Sequence, residues 1–168
     1  AAADWKKKGG AGKAKFAYMG DNHPYPNSAK EACLAFAGKA GMDVLPPIQY
    51  SMAPADFKAQ CLSLKETGAQ YTYLANAANA TIALLKSCAT VGVKTQYLTN
   101  IYAYSEPVME AIGDAAEGVI APIHVAPFGS NVPGMKLVRD VTGGQAKSTF
   151  YMAALCTMMY LREALIAA

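Results

Sequence analysis

The side chains best suited to nucleophilic or metal chemistry in this 168-residue sequence are two histidines and four cysteines, and their spacing argues against both uses. His23 and His124 each fall at the carboxyl end of a predicted strand, which is where open α/β sheets bind ligands. Neither has an adjacent Glu or Cys to complete a metal set, and no Ser or Cys occupies a nucleophile elbow such as G-x-S-x-G. Cys33, Cys61, Cys88 and Cys156 contain no CxxC pair, which excludes a zinc ribbon and a thioredoxin-like motif. Each reads as a small buried apolar residue on a helix face, and Cys61 with Cys88 is the one pair whose helices should lie side by side for a disulfide. The glycine-rich stretch Lys8 to Lys15 (KGGAGKAK) fails as a phosphate loop: Lys7 stands where the first Gly is needed, Ala14 where Ser or Thr should follow, and the stretch precedes its strand. No catalytic residue, metal ion or cofactor is expected.

What the sequence offers instead is neutral recognition chemistry. Asn22, Asn76, Asn79 and Asn100 fall at or just beyond predicted strand ends, with Tyr25, Tyr102 and Tyr104 in the same strand-to-helix loops. Apolar aromatic walls with a few uncharged hydrogen-bonding groups compose a small-molecule site. His23 belongs to that set as a hydrogen-bonding group. Asn79-Ala80-Thr81 matches a glycosylation sequon but sits at a helix start, where capping is the simpler reading.

The elements that must position these groups alternate. Lys15 to Met19 (KFAYM) is a strand, and Ser28 to Ala40 a helix with Ala29, Cys33 and Phe36 on one face. Met42 to Tyr50 is a second strand, placed at an edge or bulged by Pro46 and Pro47, which cannot donate to a ladder. Pro54 to Thr67 is a helix with Asp56 near its start and Gly68 at its end. Gln70 to Ala75 is the third strand, Ala77 to Val91 a helix, Thr95 to Thr99 the fourth strand, Ser105 to Ala115 a helix, and Gly118 to Val125 the fifth strand. Apolar strands separated by helices describe a doubly wound parallel α/β sheet, and right-handed crossovers favour the flavodoxin-like order 2-1-3-4-5. Beyond it come a Pro/Gly loop, a short helix from Met135 to Val141, and a helix over Ser148 to Ala167 that is apolar on nearly every side. Residues 1–14 read as a connector or helix end, 15–128 as the ligand-binding lobe, 129–147 as a crossover loop with a short helix and 148–168 as a helix that needs partners.

Composition agrees with one folded unit: 53% of residues are hydrophobic and 16% charged. A net charge of +3 is too small to argue for nucleic acid. No uninterrupted run of 18 apolar residues reads as a membrane span, and the Lys- and Gly-rich start is not a secretory signal.

Ala17 to Tyr25 (AYMGDNHPY), Ala55-Asp56-Phe57 with the helix to Gly68-Ala69, Tyr73 to Gly92, Tyr97 to Asn100 (YLTN) and Ala115 to Val119 (AAEGV) together resemble the second lobe of type I periplasmic solute-binding proteins, in the leucine/isoleucine/valine-binding branch of ABC transporter receptors. The resemblance implies one lobe of a two-lobe clamshell, with the first lobe absent, and the last helix packing on that missing lobe. It also implies a small organic solute, a membrane ABC permease as partner and a periplasmic or lipid-anchored location. Tyr25 matches the tyrosine that packs on ligand. Ala77 and Ala78 replace an aromatic, leaving a roomier pocket. Asn100 stands where amino-acid binders place a glutamate for the ligand's ammonium, which makes an amide or an aromatic or other organic acid as plausible as an amino acid. Tyr102 is placed to stack on a ring. The alternative from a different class is a free-standing flavodoxin-like domain binding a nucleotide or phosphorylated ligand.

Overall fold

A computed structural model of the chain describes residues 1–51 and 56–168. Its centre is β1 (Lys15–Asp21), of which every residue after Lys15 is buried. A strand buried on both faces reads as a near-continuous apolar run, and Phe16 to Met19 supply it. On one side β1 pairs with β2 (Asp43–Val44) and β3 (Ile48–Tyr50), and on the other with β4 (Tyr71–Ala75), which pairs in turn with β5 (Gln96–Thr99); every pairing is parallel. β2 and β3 are the second expected strand, interrupted at Leu45-Pro46-Pro47 and held at the sheet edge, where missing N–H donors cost least.

The order of the sheet follows the expectation, but the fifth strand does not form as a strand. Over Gly118 to Val125 only Ile120 pairs, its N–H donating to Tyr97 O at 3.0 Å and its carbonyl accepting from Thr99 N at 2.9 Å. Gly118 has φ 76°, off the extended path, and Pro122 has no N–H for the ladder. His124 therefore lies exposed in a bend rather than at a strand end.

Helices cover both faces. α4 (Lys58–Thr67) and α5 (Ala78–Thr90) bury Cys61, Leu64, Leu84, Leu85 and Cys88 against Ala17, Met19 and Leu74. On the opposite face Ala37 of α3 (Lys30–Lys39) packs on Phe16, Tyr18 and Tyr71, with Trp5 of α1 (Ala2–Lys7) beside it. The expected single helix over Ser28 to Ala40 starts later, after a separate short helix, α2 (Pro24–Ser28), which Pro24 opens. Phe36, read as core-facing, is 73% exposed, because Ala37 takes the sheet-facing position. Pro54 and Ala55 lie outside the described residues. Asp56 does sit at the α4 start, accepting from Lys58 N at 2.8 Å, and Gly68 ends that helix with φ 65°.

α6 (Glu106–Ile112) completes the α4/α5 face, and α7 (Met135–Thr142) and α8 (Thr149–Ala167) follow. Glu106 Oε2 accepts from both Thr149 N and Thr149 Oγ1, which ties the start of α8 to α6. Beyond Leu155, which still packs on Met135, Val138 and Met152, the helix leaves the body, and Met158, Tyr160, Leu161, Leu165 and Ile166 are exposed. By length and composition α8 is apolar enough to cross a membrane, although Arg162 and Glu163 interrupt its apolar run.

Cys61 and Cys88 are wholly buried and joined by a disulfide, with Cα atoms 4.9 Å apart, which fastens α4 to α5. The free thiols depart from the expectation of burial: Cys33 is half-buried and Cys156 exposed. Intact-mass analysis under non-reducing conditions should therefore show two free thiols, and reduction should cost about 3 kcal/mol of stability, in line with the loop closed; four free thiols would contradict the bridge.

Burial pushes the Tyr18, Tyr50 and Tyr97 phenols well above their ordinary value of 10.0, and burial together with the Asp4 carboxylate pushes Tyr71 up to about 12. A pKa raised on folding means stability present below pH 10.0 and lost as pH rises through the folded values. Alkaline titration should show these phenols ionising together with loss of the folded circular dichroism signal, not ahead of it.

Candidate functional site

Because the strands run the same way, their carboxyl ends share one edge, and the loops leaving β1, β4 and β5 form a rim there, beside the end of β3 at Tyr50. At the end of β1, Asp21 is buried and its Oδ1 accepts from His23 N at 2.7 Å, which tightens the turn. Asn22 N donates to Tyr50 O at 2.9 Å and extends the β1/β3 pairing by one residue. His23 then caps α2: its Nδ1 accepts from Tyr25 N at 3.2 Å. A neutral imidazole that accepts at Nδ1 carries its proton on Nε2, so exposed His23 presents a donor.

Asn76, at the end of β4, is fully buried. Its Oδ1 accepts from the Tyr50 hydroxyl and its backbone carbonyl accepts from Asn100 Nδ2 at 2.8 Å. Its Nδ2 has no partner among the described residues. Asn100, at the end of β5, uses its other amide end to cap a single 3₁₀ turn, Oδ1 accepting from Tyr102 N at 2.9 Å and Ala103 N at 3.0 Å. The chain Tyr50–Asn76–Asn100–Tyr102 thus joins three strand ends. It leaves Asn100 as an organiser of the rim, with both ends of its amide engaged inside the lobe.

Two aromatic rings stand on this edge. Tyr25 and Tyr102 meet edge to face with centroids 5.5 Å apart, and both are exposed. Such contacts hold rings in defined orientations at about 1 kcal/mol each. Behind Tyr25 lies a cavity of about 60 Å³ lined by Tyr18, Tyr25, Pro26, Tyr73, Ala75 and Asn100, together with Ser28 and Ala29. On the α5 side the rim is low: Ala77 is exposed and has no side chain with which to cap the helix, and Asn79, also exposed, makes no capping bond. The capping reading of Asn79 is thereby replaced; Thr81 Oγ1 instead bonds back to Ala77 O.

Asn22, His23, Tyr25, Asn76, Ala77, Asn79, Asn100 and Tyr102 are therefore all on the one edge, with Tyr25 touching Tyr102 and Asn76 touching Asn100. Tyr18, Tyr50 and Tyr73 were legible only as strand residues; the signal for Tyr50 is its position as the last residue of its strand. A larger concavity, about 610 Å³, lies elsewhere, between α7 and α8, lined by Leu137, Val141, Leu155 and Met159 among others. It has no strand ends, and its charged lining residues, Arg162 and Glu163, pair with each other.

A family model described as periplasmic binding protein matches residues 1–168. No curated protein matches the sequence. Among solved structures, an ABC transporter permease from the Pseudomonas fluorescens group superposes with a TM-score of 0.74 at 19% identity, over 92% of this chain and 40% of that one. A Rhodopseudomonas palustris ABC transporter solute-binding protein in complex with 4-hydroxybenzoate gives 0.71 at 22% identity, over 87% and 40%. A branched-chain amino acid ABC transporter from Thermus thermophilus with bound valine gives 0.71 at 20%, over 83% and 36%. The chain thus spans about two fifths of the length of these structures.

If Asn100 organises the rim, Asn100→Ala should lower stability by about 1 to 3 kcal/mol, the effect of a lost cap and an inter-strand hydrogen bond. Urea unfolding measures it, and a change within a few tenths would contradict the assignment.

Proposed function

Because the chain belongs to the periplasmic binding protein family, we propose that it is the second lobe of an ABC-importer receptor and that its strand-end rim forms half of a site for a small organic solute. The family is one of transporter solute-binding proteins, which perform no chemistry on their cargo. The observation that carries the reading is the pairing of exposed Tyr25 and Tyr102 beside neutral amides on the edge where parallel sheets take ligands.

The rim's chemistry narrows the solute. An ammonium group buried without a carboxylate partner is expensive, and Asn100, where the resemblance implies a glutamate, is neutral. Asp21, the carboxylate that ends β1, is buried and turned onto His23 N. An aromatic or other organic acid, or an amide, fits this lobe better than an α-amino acid, its charged end held by the other lobe. Two structural neighbours, one with 4-hydroxybenzoate and one with valine, show that the fold serves both classes.

Two lobes closing on a shared solute is a population shift, driven by contacts that exist only in the closed state. The exposed apolar flank of α8 and the groove beside it are then surfaces for the first lobe, not for solvent. A membrane ABC permease would take up the solute. The Cys61–Cys88 bridge supports an extracytoplasmic setting, since disulfides persist in oxidising compartments.

Thermal-shift screening of the receptor containing this chain should show stabilisation by aromatic or other organic acids or amides, by mass action. Stabilisation by nucleotides alone would sink the reading in favour of a nucleotide-binding domain. The 168-residue chain by itself should bind such solutes only weakly, for lack of half the contacts.

A further inference from the structure

Resting on the solute reading above, we propose that the cavity behind Tyr25 is an end pocket that receives an uncharged hydroxyl or primary amide terminus of the solute. The cavity owes its existence to small residues. β1 and β4 set Gly20 opposite Ala75 in register, and a Cβ at Gly20 would meet Tyr18 Cε1 at 3.0 Å and Ala75 Cβ at 3.3 Å. Larger side chains at these strand ends would fill the space.

Its volume limits what enters. About 60 Å³ is room for two or three heavy atoms, given about 30 Å³ per water in the liquid, and too little for an aromatic ring. The planar body of a solute stays outside, against Tyr25 and Tyr102.

Its polar groups limit the chemistry. The Tyr18 hydroxyl is spent on Pro26 O at 2.5 Å, so that ring is a fixed wall. Ser28 Oγ donates to Tyr25 O at 2.7 Å and keeps only acceptor capacity. Asn100 is engaged at both ends. Tyr73, its ring 5.7 Å from that of Tyr18, has a hydroxyl with no partner among the described residues, free to donate or accept. No charged side chain lines the space, so a carboxylate or ammonium terminus would lose its hydration without compensation. A methyl terminus would leave the Tyr73 hydroxyl desolvated and unpaired. A hydroxyl or primary amide can pair with the Tyr73 hydroxyl and carries a donor of the kind that Ser28 Oγ, also on the lining, can accept.

Phenol titrated into the isotopically labelled 168-residue chain tests this by nuclear magnetic resonance. The expected result is saturable shifts and intermolecular contacts at Tyr18, Tyr73 and Ala75, with about tenfold weaker phenol binding in Tyr73→Phe and unchanged binding of toluene. Shifts confined to Asn22, Asn79 and Tyr102 would overturn the end pocket while leaving the rim as the solute site. Since shifts also report weak binding, no shift at either place with phenol raised to its solubility limit would overturn both. Equal phenol affinity in Tyr73→Phe would overturn the assigned hydroxyl chemistry even with the wild-type contacts present.

Discussion

One constraint organises this lobe: β1 pairs on both sides with strands of its own direction while both its faces are buried. Parallel neighbours cannot be joined by hairpins, so each connection must cross the sheet, and helices are forced onto both faces. The same constraint delivers every strand's carboxyl end to one edge. There the backbone leaves the ladder, and its polar groups need new partners. Tyr50, Asn76 and Asn100 meet that need by bonding to one another across strand ends. The proposed recognition surface is therefore also the place where the sheet is closed off.

That double duty explains the character of the site. Amides suit a position where backbone donors and acceptors must both be satisfied, and Asn100 does this for Asn76 O and for the N–H groups of Tyr102 and Ala103. A carboxylate there would offer no donor to Asn76 O. Neutrality at this point in turn removes the counter-ion that an ammonium would require, which is the basis of the solute class proposed above. The aromatic pair supplies area and orientation, and the small residues Gly20, Ala75 and Ala77 supply room.

Much of this was readable from the residues, for identifiable reasons. The alternation of apolar runs with helical periods forecast the sheet order, and Pro46-Pro47 forecast the edge position and the interruption between β2 and β3. Strand-end asparagines and tyrosines could be placed on the rim because position along a parallel strand fixes which edge a residue joins. What escaped depends on contacts between distant segments. Gly118 to Val125 has a strand's composition, yet only Ile120 pairs. Phe36 and Cys156 follow helical periodicity but face outward, since periodicity does not say which flank a neighbour covers. Roles shifted too: the engagement of Asn100 within the lobe and the cavity bounded by Tyr18 and Tyr73 arise from side chains far apart in sequence.

The central claim is that solute meets this lobe at the carboxyl edge of the sheet. Hydrogen exchange measured on the two-lobe receptor, with and without a stabilising solute, tests it most directly, because protection reports local closure segment by segment. The account predicts new protection in the loops around 22–28, 76–80 and 100–104, with the amino-terminal edge of the sheet unchanged. Protection confined to that opposite edge, or to α7 and α8 alone, would contradict it.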